Sequence, residues 1–214
     1  MTMGIRAEDI KVVFFDLGKV ILKFSHQDIV DRLLSHADPD GRRPDELFTF
    51  LFDMKEGLCN LYDEGNISSR DFYAEIDRRF TLGVDYEGFI PLWEDIFTEC
   101  VEVSALIRQV QKRLPVYLLS NVNELHWEHV KHRYPVLSEM DGWVLSYEVK
   151  AKKPSPAIYA AALRLAGAGP GQSIFIDDLE ENSVAASECG IHGITFRDAD
   201  ALKRDLLALN LIRP

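Results

Sequence analysis

The spacing of hydrophobic residues changes along the chain and divides it into three parts. The first part contains one apolar run at residues 12–17, which predicts a buried strand, and a weakly alternating segment at 20–24, which predicts a short hairpin. From about residue 25 to residue 100 the spacing is helical, and no strand pattern interrupts it. The middle part therefore predicts an all-helical insert.

The last part alternates helices with short apolar runs. The pattern predicts helices at 103–114, 156–166, 182–189 and 199–209, one further helix rich in His and Trp, and strands at 116–119, 143–146, 173–176 and 194–196. Such alternation indicates a parallel sheet with helices on both faces. The predicted fold class is therefore α/β, with a Rossmann-like parallel sheet core formed by residues 1–24 and 100–214 and an all-helical domain inserted at residues 25–99.

Composition limits the classes of partner. The 214 residues are 47% hydrophobic and 28% charged, which is typical of a globular protein with a substantial core. The net charge of −11 argues against nucleic acid and anionic membranes as partners, because both attract a basic surface. No signal-peptide pattern or membrane-length apolar segment is found, so a cytoplasmic protein is expected. Three cysteines show no metal-ligand spacing and are expected to be small apolar residues in a reducing compartment.

Acidic and polar side chains stand directly after three of the apolar runs. Asp16 ends the first run, Ser120 and Asn121 end the second, and Asp177 with Asp178 end a third. Because the carboxyl ends of parallel strands meet at one edge of a sheet, we expect these side chains to lie in one crevice.

A lysine-rich loop adds a cation to this set. Residues 150–156 read KAKKPSP, and their two prolines favour an ordered loop before a helix. Lys153 is distinguished by the proline that follows it, whereas Lys150 and Lys152 are expected to be solvated. A nucleophilic carboxylate, a hydroxyl–amide pair, a lysine and a carboxylate pair indicate phosphoryl transfer through an aspartyl-phosphate. Clustered carboxylates need a hard cation, and oxygen ligands suit Mg²⁺.

Four motifs carry a family resemblance, namely FFDLGKV, LLSN, KKPSPAIY and FIDDLEEN. In this order and spacing the chain resembles hydrolases of the haloacid dehalogenase superfamily, and its helical insert resembles their helical cap. Its D-L-G-x-V motif and the segment LYDEGNIS at 61–68 are similar to bacterial sugar-1-phosphate phosphatases. The likeness to the phosphatase domain of soluble epoxide hydrolases is more distant. The resemblance implies an Mg²⁺-dependent phosphatase acting on a small phosphorylated metabolite, such as a sugar phosphate.

The resemblance also implies a role for each motif residue. The nucleophile is Asp16. The expected Mg²⁺ ligands are Asp16, the backbone carbonyl of Gly18, Asp178, and Asp177 either directly or through water. The groups expected to hold phosphate oxygens are Ser120, the backbone of Asn121 and Lys153, and Lys153 also neutralises the nucleophile. Asn182 is expected to orient Asp177 or Asp178.

Gly18 departs from the family pattern, because related phosphatases commonly carry a second Asp there that protonates the leaving oxygen and later activates water. Such acid–base help is worth about 10²–10⁴-fold, and Lys19 also replaces the usual small residue. Three interpretations stay open: a phosphatase that uses a better leaving group or borrows an acid from the cap, a metal-independent 2-haloacid dehalogenase, and a catalytically weak binding or regulatory protein. The Asp177–Asp178 pair favours the phosphatase, since a dehalogenase has no use for a cation site.

Histidines and large aromatic residues offer a further set of candidates. His126, His129 and His132 lie roughly along one helix face, but no carboxylate or cysteine stands at ligand spacing, so an exposed helix is expected instead of a metal site. The aromatic residues expected to serve in packing are Trp93, Phe97 and Trp127.

Overall fold

The computed structural model describes residues 7–37 and 43–213. The strands in these residues are β1 (Val12–Phe15), β2 (Leu22–Lys23), β3 (Thr98–Glu99), β4 (Val116–Ser120), β5 (Gly142–Leu145), β6 (Ser173–Asp177) and β7 (His192–Thr195). The α-helices are α1 (His26–Leu33), α2 (Pro44–Phe52), α3 (Leu58–Asp63), α4 (Ser69–Phe80), α5 (Tyr86–Glu94), α6 (Val101–Gln111), α7 (Glu124–Arg133), α8 (Pro135–Ser138), α9 (Ser146–Val149), α10 (Pro156–Ala166), α11 (Glu180–Glu188) and α12 (Ala199–Ala208).

Five strands form one parallel sheet in the order β5-β4-β1-β6-β7. Strand β1 lies at its centre, with Phe15 opposite Leu118 of β4 on one side and opposite Ile176 of β6 on the other. The predicted α/β class and the alternation of strands and helices after residue 100 are confirmed. The strand order places the ends of β4, β1 and β6 side by side, as the predicted crevice requires.

Successive residues of β1 enter hydrophobic clusters on opposite faces of the sheet. Val13 and Phe15 pack in a cluster with residues of α6 and α12, while Val12 and Phe14 pack in a cluster with residues of α10 and α11. All four side chains are buried, because both faces of a parallel sheet are covered by helices. The continuous apolar run of β1 is therefore a consequence of its central place.

Helices α1–α5 form a separate layer around their own apolar cluster. Its centre is aromatic, with Tyr62 stacked on Phe72 at a centroid distance of 4.3 Å and Trp93 in edge contact with Phe72 at 4.8 Å. Ser68 accepts a hydrogen bond from the N–H of Asp71 and so begins α4. This layer is the predicted helical cap, and its boundaries at 24/25 and 99/100 stay a prediction.

A short antiparallel ribbon joins the cap to the core. Strand β2 pairs with β3, which lies at the far end of the helical insert. The prediction of a local hairpin at 20–24 is therefore wrong, as is the expectation that no strand lies between residues 25 and 100. Two-residue strands are too short to show a period in the sequence, and the partner of β2 is distant in the chain.

The described residues 7–37 and 43–213 contain neither a membrane-spanning helix nor a disulfide. Their helices include none with the length and apolar character that a membrane span requires. The three cysteines are free thiols, of which Cys100 is buried while Cys59 and Cys189 are half-buried.

Candidate active site

The carboxyl ends of three neighbouring strands bring the predicted site residues together. Asp16 directly follows β1, Ser120 ends β4 and Asp177 ends β6. The N–H of Asp16 donates to the carbonyl of Ile176 at 2.9 Å, so the strand ladder continues up to the acidic residues. The side chains that the sequence placed in one crevice therefore share one edge of the sheet.

Lys153 lies between the acidic residues and is almost fully buried, with 3% of its surface exposed. Its Nζ donates to Asp16 Oδ1 at 2.7 Å, to Asp177 Oδ2 at 2.6 Å and to the carbonyl of Leu119 at 3.1 Å. The three ammonium hydrogens thus meet three oxygen acceptors. Burial disfavours the ammonium, but the charges of Asp16 and Asp177 raise the pKa of Lys153 above its ordinary value. Lys153 therefore stays charged.

The side chain of Asn121 holds the loop that carries Lys153. Its Nδ2 donates to the Lys153 carbonyl at 3.0 Å, and its Oδ1 accepts from the Lys153 N–H at 2.7 Å. These paired bonds fix the main chain of Lys153 and so hold its ammonium in place. Only the backbone of Asn121 was predicted to take part in the site, because this side-chain contact joins residues far apart in the chain.

Asp16, Asp177 and Asp178 form an acidic cluster whose ligand oxygens all lie within 4.8 Å of one another. Burial raises the pKa of Asp16; Lys153 offsets part of that rise and Asp177 adds to it. Burial and the charge of Asp177 also raise the pKa of Asp178. Three carboxylates thus share one buried ammonium, and negative charge is in excess. An all-oxygen donor set of this kind fits a hard divalent cation such as Mg²⁺.

Asn182 of α11 orients Asp177. Its Nδ2 donates to Asp177 Oδ1 at 3.0 Å, and the N–H of Leu179 donates to the same oxygen at 2.8 Å. Oδ1 of Asn182 is buried and finds no hydrogen-bond partner among the residues that the structure describes. A buried acceptor without a protein partner suits an ordered water.

An aromatic ring fills the space beside Gly18. A Cβ atom on residue 18 would lie 2.9 Å from Cε1 of Phe24, too close unless the ring moves. Lys19 follows in the left-handed conformation, with φ of 57°, and its Nζ lies 5.9 Å from the centroid of the Phe24 ring. The Phe24 ring therefore occupies the space that an acidic side chain at residue 18 would need.

The acidic cluster opens into a cleft of about 480 Å³ between the core and the cap. Asp16, Ser120 and Lys153 lie on its core side, together with Gly18 and Asp178. The cap side includes aromatic and polar side chains, among them His26, Phe52, Asn60, Asp63, Trp93 and Phe97. A concave site that combines apolar walls with a few convergent polar groups is typical of small-molecule binding.

The lysines next to Lys153 contact the cap. Nζ of Lys152 donates to Oδ1 of Asn60, and Nζ of Lys150 donates to the carbonyl of Gly65. Lys150 is exposed, but Lys152 is half-buried and lines the cleft, so the prediction that it is solvated is wrong. Lys152 is drawn inward because the loop that buries Lys153 also runs against the cap.

His126 belongs to a buried hydrogen-bonded network that the sequence analysis missed. Its ring stacks on Trp93 at a centroid distance of 4.8 Å, and its Nε2 lies 3.0 Å from the Trp93 carbonyl. Asn123 Nδ2 donates to His126 Nδ1 and to Asp63 Oδ1, both at 3.1 Å. His126 Nε2–H is therefore the donor to Trp93. The prediction of an exposed position is wrong for His126, because this face of α7 packs against α5 of the cap.

Stability should depend on pH through His126. Burial lowers the pKa of His126 to about 3, so the unfolded chain takes up a proton near its ordinary pKa while the folded chain does not. The contribution of neutral His126 to the free energy of unfolding is fully present above about pH 6.5 and falls as the pH drops from there towards 3. At about pH 5 it has fallen by about 2 kcal/mol. The variant His126→Phe keeps a stacking ring but cannot titrate. The free energy of unfolding of the wild type minus that of His126→Phe should therefore decrease by about 2 kcal/mol between about pH 7 and pH 5.

Urea denaturation at the two pH values measures this change. His132→Phe is the matched control, because His132 is exposed on the same helix. If the difference in free energy of unfolding between the wild type and His126→Phe stays constant with pH, His126 has the same pKa in the folded and unfolded chains.

Comparison with known proteins assigns the family. The model of the haloacid dehalogenase-like hydrolase family matches residues 10–190. The chain belongs to this family. The resemblance drawn from the four motifs is thus confirmed, and the helices and parallel sheet of this haloacid dehalogenase-like hydrolase have the arrangement found in its structural neighbours.

Relatives of this hydrolase include proteins with described activities. D-ribitol-5-phosphate phosphatase from Bacteroides thetaiotaomicron is 28% identical over 191 residues, which cover 85% of this chain and 89% of that protein. A HAD family enzyme of the same organism, crystallised with magnesium and inorganic phosphate, superposes with a TM-score of 0.77 at 27% identity and covers 88% of this chain and 94% of its own. L-2-haloacid dehalogenase from Xanthobacter autotrophicus superposes with a TM-score of 0.58 at 15% identity, and the match covers 96% of this chain and 85% of that protein. At this identity the likeness shows a shared fold alone.

Proposed function

We propose that this chain is an Mg²⁺-dependent phosphatase that hydrolyses a small phosphorylated metabolite through an aspartyl-phosphate on Asp16. The observation that carries the proposal is the placement of one buried ammonium, on Lys153, between Asp16 and Asp177 inside an acidic cluster. Support comes from the relative named D-ribitol-5-phosphate phosphatase and from the neighbour crystallised with magnesium and phosphate.

The first step forms a bond between a carboxylate oxygen of Asp16 and phosphorus. Oδ1 of Asp16 already accepts hydrogen bonds from Lys153 and from the N–H of Leu17, whereas Oδ2 accepts none from the residues that the structure describes. The bond between phosphorus and the leaving oxygen breaks, and the leaving oxygen, which keeps the electron pair, takes a proton from water. Lys153, the hydroxyl of Ser120 and the backbone N–H of Asn121 hold phosphoryl oxygens, where their charge and dipoles stabilise the transition state.

The second step regenerates the enzyme. Water attacks the phosphorus of the aspartyl-phosphate, the bond to Asp16 breaks, and inorganic phosphate leaves.

Mg²⁺ would be held by Asp16, Asp178, the carbonyl of Gly18 and Asp177, the last directly or through water. Asn182 positions Asp177 for this role. When bound, Mg²⁺ supplies countercharge to the carboxylates and to the phosphoryl oxygens.

Turnover of p-nitrophenyl phosphate, with and without Mg²⁺, tests the proposal. We expect hydrolysis with Mg²⁺, its loss on adding EDTA, and recovery when Mg²⁺ is restored. Ribitol 5-phosphate and several sugar phosphates complete the panel, since the motif resemblance points to such compounds. Halide release from a 2-haloacid without metal would instead establish the dehalogenase interpretation. A protein that binds inorganic phosphate but hydrolyses no phosphomonoester would be a binding protein.

A further inference from the structure

Four rings form a continuous aromatic wall along one side of the cleft: Phe24, His26, Phe52 and Phe97. Phe24 contacts Phe97 at a centroid distance of 5.6 Å and His26 at 5.2 Å, and His26 contacts Phe52 at 4.4 Å. Each ring is only half-buried although it packs on its neighbours, so part of each ring borders the open cleft. The wall thus offers a ligand a run of aromatic surface.

The aromatic wall begins beside the nucleophile. Phe24 occupies the space next to Gly18, two residues after Asp16. The ring therefore lies beside the position where related phosphatases commonly carry an acid, and a leaving group on a phosphoryl group at Asp16 would lie near it. The wall is also uncharged near neutral pH, because burial and the nearby charge of Lys19 lower the pKa of His26.

Two polar side chains on the cap side of the cleft already have hydrogen-bond partners in the cap backbone and in the core. Asn60 donates to the carbonyls of Asp53 and Met54, and its Oδ1 accepts from Lys152. Asp63 accepts from Asn123. A site that selects a polyol by its hydroxyls presents polar groups that the substrate must pair. Along this side of the cleft the extended surface is the aromatic wall, and the carboxylates of Asp53 and Asp63 stand beside it.

We propose that the substrate of this site is an aryl phosphate, a monoester whose leaving group is a phenol with its ring on the aromatic wall. The proposal rests on the phosphatase function proposed above. It explains two features together, the wall and the missing acid. A phenol has a pKa of about 10, far below that of an alkanol, whose hydroxyl is about as weak an acid as water. A phenolate therefore departs with the electron pair of the broken phosphorus–oxygen bond and takes its proton from water afterwards.

Substrate preference and one pair of matched variants test this proposal. We expect kcat/KM for phenyl phosphate to exceed that for ribitol 5-phosphate. Phe52→Leu, which removes a ring of the wall but stays apolar, should lower kcat/KM for phenyl phosphate about tenfold and leave ribitol 5-phosphate nearly unchanged. Phe48→Leu is the control, because Phe48 contacts Phe52 at 5.4 Å on the same helix but does not line the cleft. It should leave both values unchanged.

Phosphonates supply a measurement that does not depend on turnover. In the presence of Mg²⁺, phenylphosphonate should bind the wild-type protein more tightly than methylphosphonate, and Phe52→Leu should reduce the difference. Ribitol 5-phosphate as the better substrate, or equal binding of the two phosphonates, overturns the aryl proposal and leaves the phosphatase proposal intact. Hydrolysis of no monoester, with phenylphosphonate still bound preferentially, overturns the phosphatase proposal and shows that the wall selects aryl ligands.

Discussion

Asp16→Asn should abolish turnover of p-nitrophenyl phosphate, with a loss in kcat of at least about 10⁴-fold. The carboxylate of Asp16 is the one acidic group that both ends the central strand and contacts Lys153 through Oδ1 at 2.7 Å. An uncharged amide has the same shape but does not attack phosphorus. Its oxygen can still accept from Lys153 and from the N–H of Leu17, so the variant should fold normally.

Two measurements separate loss of the nucleophile from a general defect. Acid-quenched wild type, sampled during turnover, should carry the mass of one added phosphoryl group, and Asp16→Asn should not. Asp53→Asn is the control, because Asp53 is an exposed carboxylate that also lines the cleft, and it should retain near wild-type turnover. Turnover by Asp16→Asn above the uncatalysed rate, together with a phosphorylated protein, would place the nucleophile elsewhere.

The main parts of the fold are predictable because each has a local signal. The apolar run of β1 is continuous since Val12–Phe15 is covered on both faces, and the run that becomes β4 ends at Ser120. Once the sheet is known to be parallel, its geometry brings Asp16, Ser120 and Asp177 to one edge without further information. The position of these residues therefore follows from patterns that the chain shows directly.

The parts that escaped prediction depend on contacts between distant residues. Asn121 pairs with the main chain of Lys153, and His126 stacks on Trp93 of the cap, yet nothing in the sequence marks either pairing. Phe24 looks like an ordinary apolar residue in the sequence, and only the structure shows its ring beside Gly18. The positions of the core side chains could thus be predicted from the sequence, while the cap residues that face them required the tertiary structure.

The cap and the core meet at residues that also organise the site. Asn123 begins α7 by accepting from the N–H of His126, and it donates to Asp63 of the cap. Lys152, adjacent to Lys153, reaches Asn60 of the cap. The two core loops proposed to hold phosphoryl oxygens therefore also contact the cap, through Asn123 and Lys152. Closure of the cap over a substrate would in this way support both loops.

Lys153→Met should weaken both the fold and the activity. Without the ammonium, Asp16 and Asp177 are left as buried carboxylates facing each other, because Lys153 contacts both at 2.7 Å or less. Loss of one partner from a buried ionic cluster costs about 3 kcal/mol or more in free energy of unfolding. Added Mg²⁺ should restore part of this loss, because a cation bound to the folded chain alone shifts the unfolding equilibrium.

The activity of Lys153→Met should fall in kcat by about 10²–10³-fold even with saturating Mg²⁺, since the charge that faces the transferring phosphoryl group is gone. Urea denaturation and steady-state kinetics measure the two effects separately. Lys150→Met removes a charge from the same loop together with an exposed hydrogen bond to the Gly65 carbonyl, so little change in either quantity is expected. A stable Lys153→Met variant would mean that the buried carboxylates are protonated and need no counterion. A destabilised variant with wild-type kcat would limit Lys153 to a structural role.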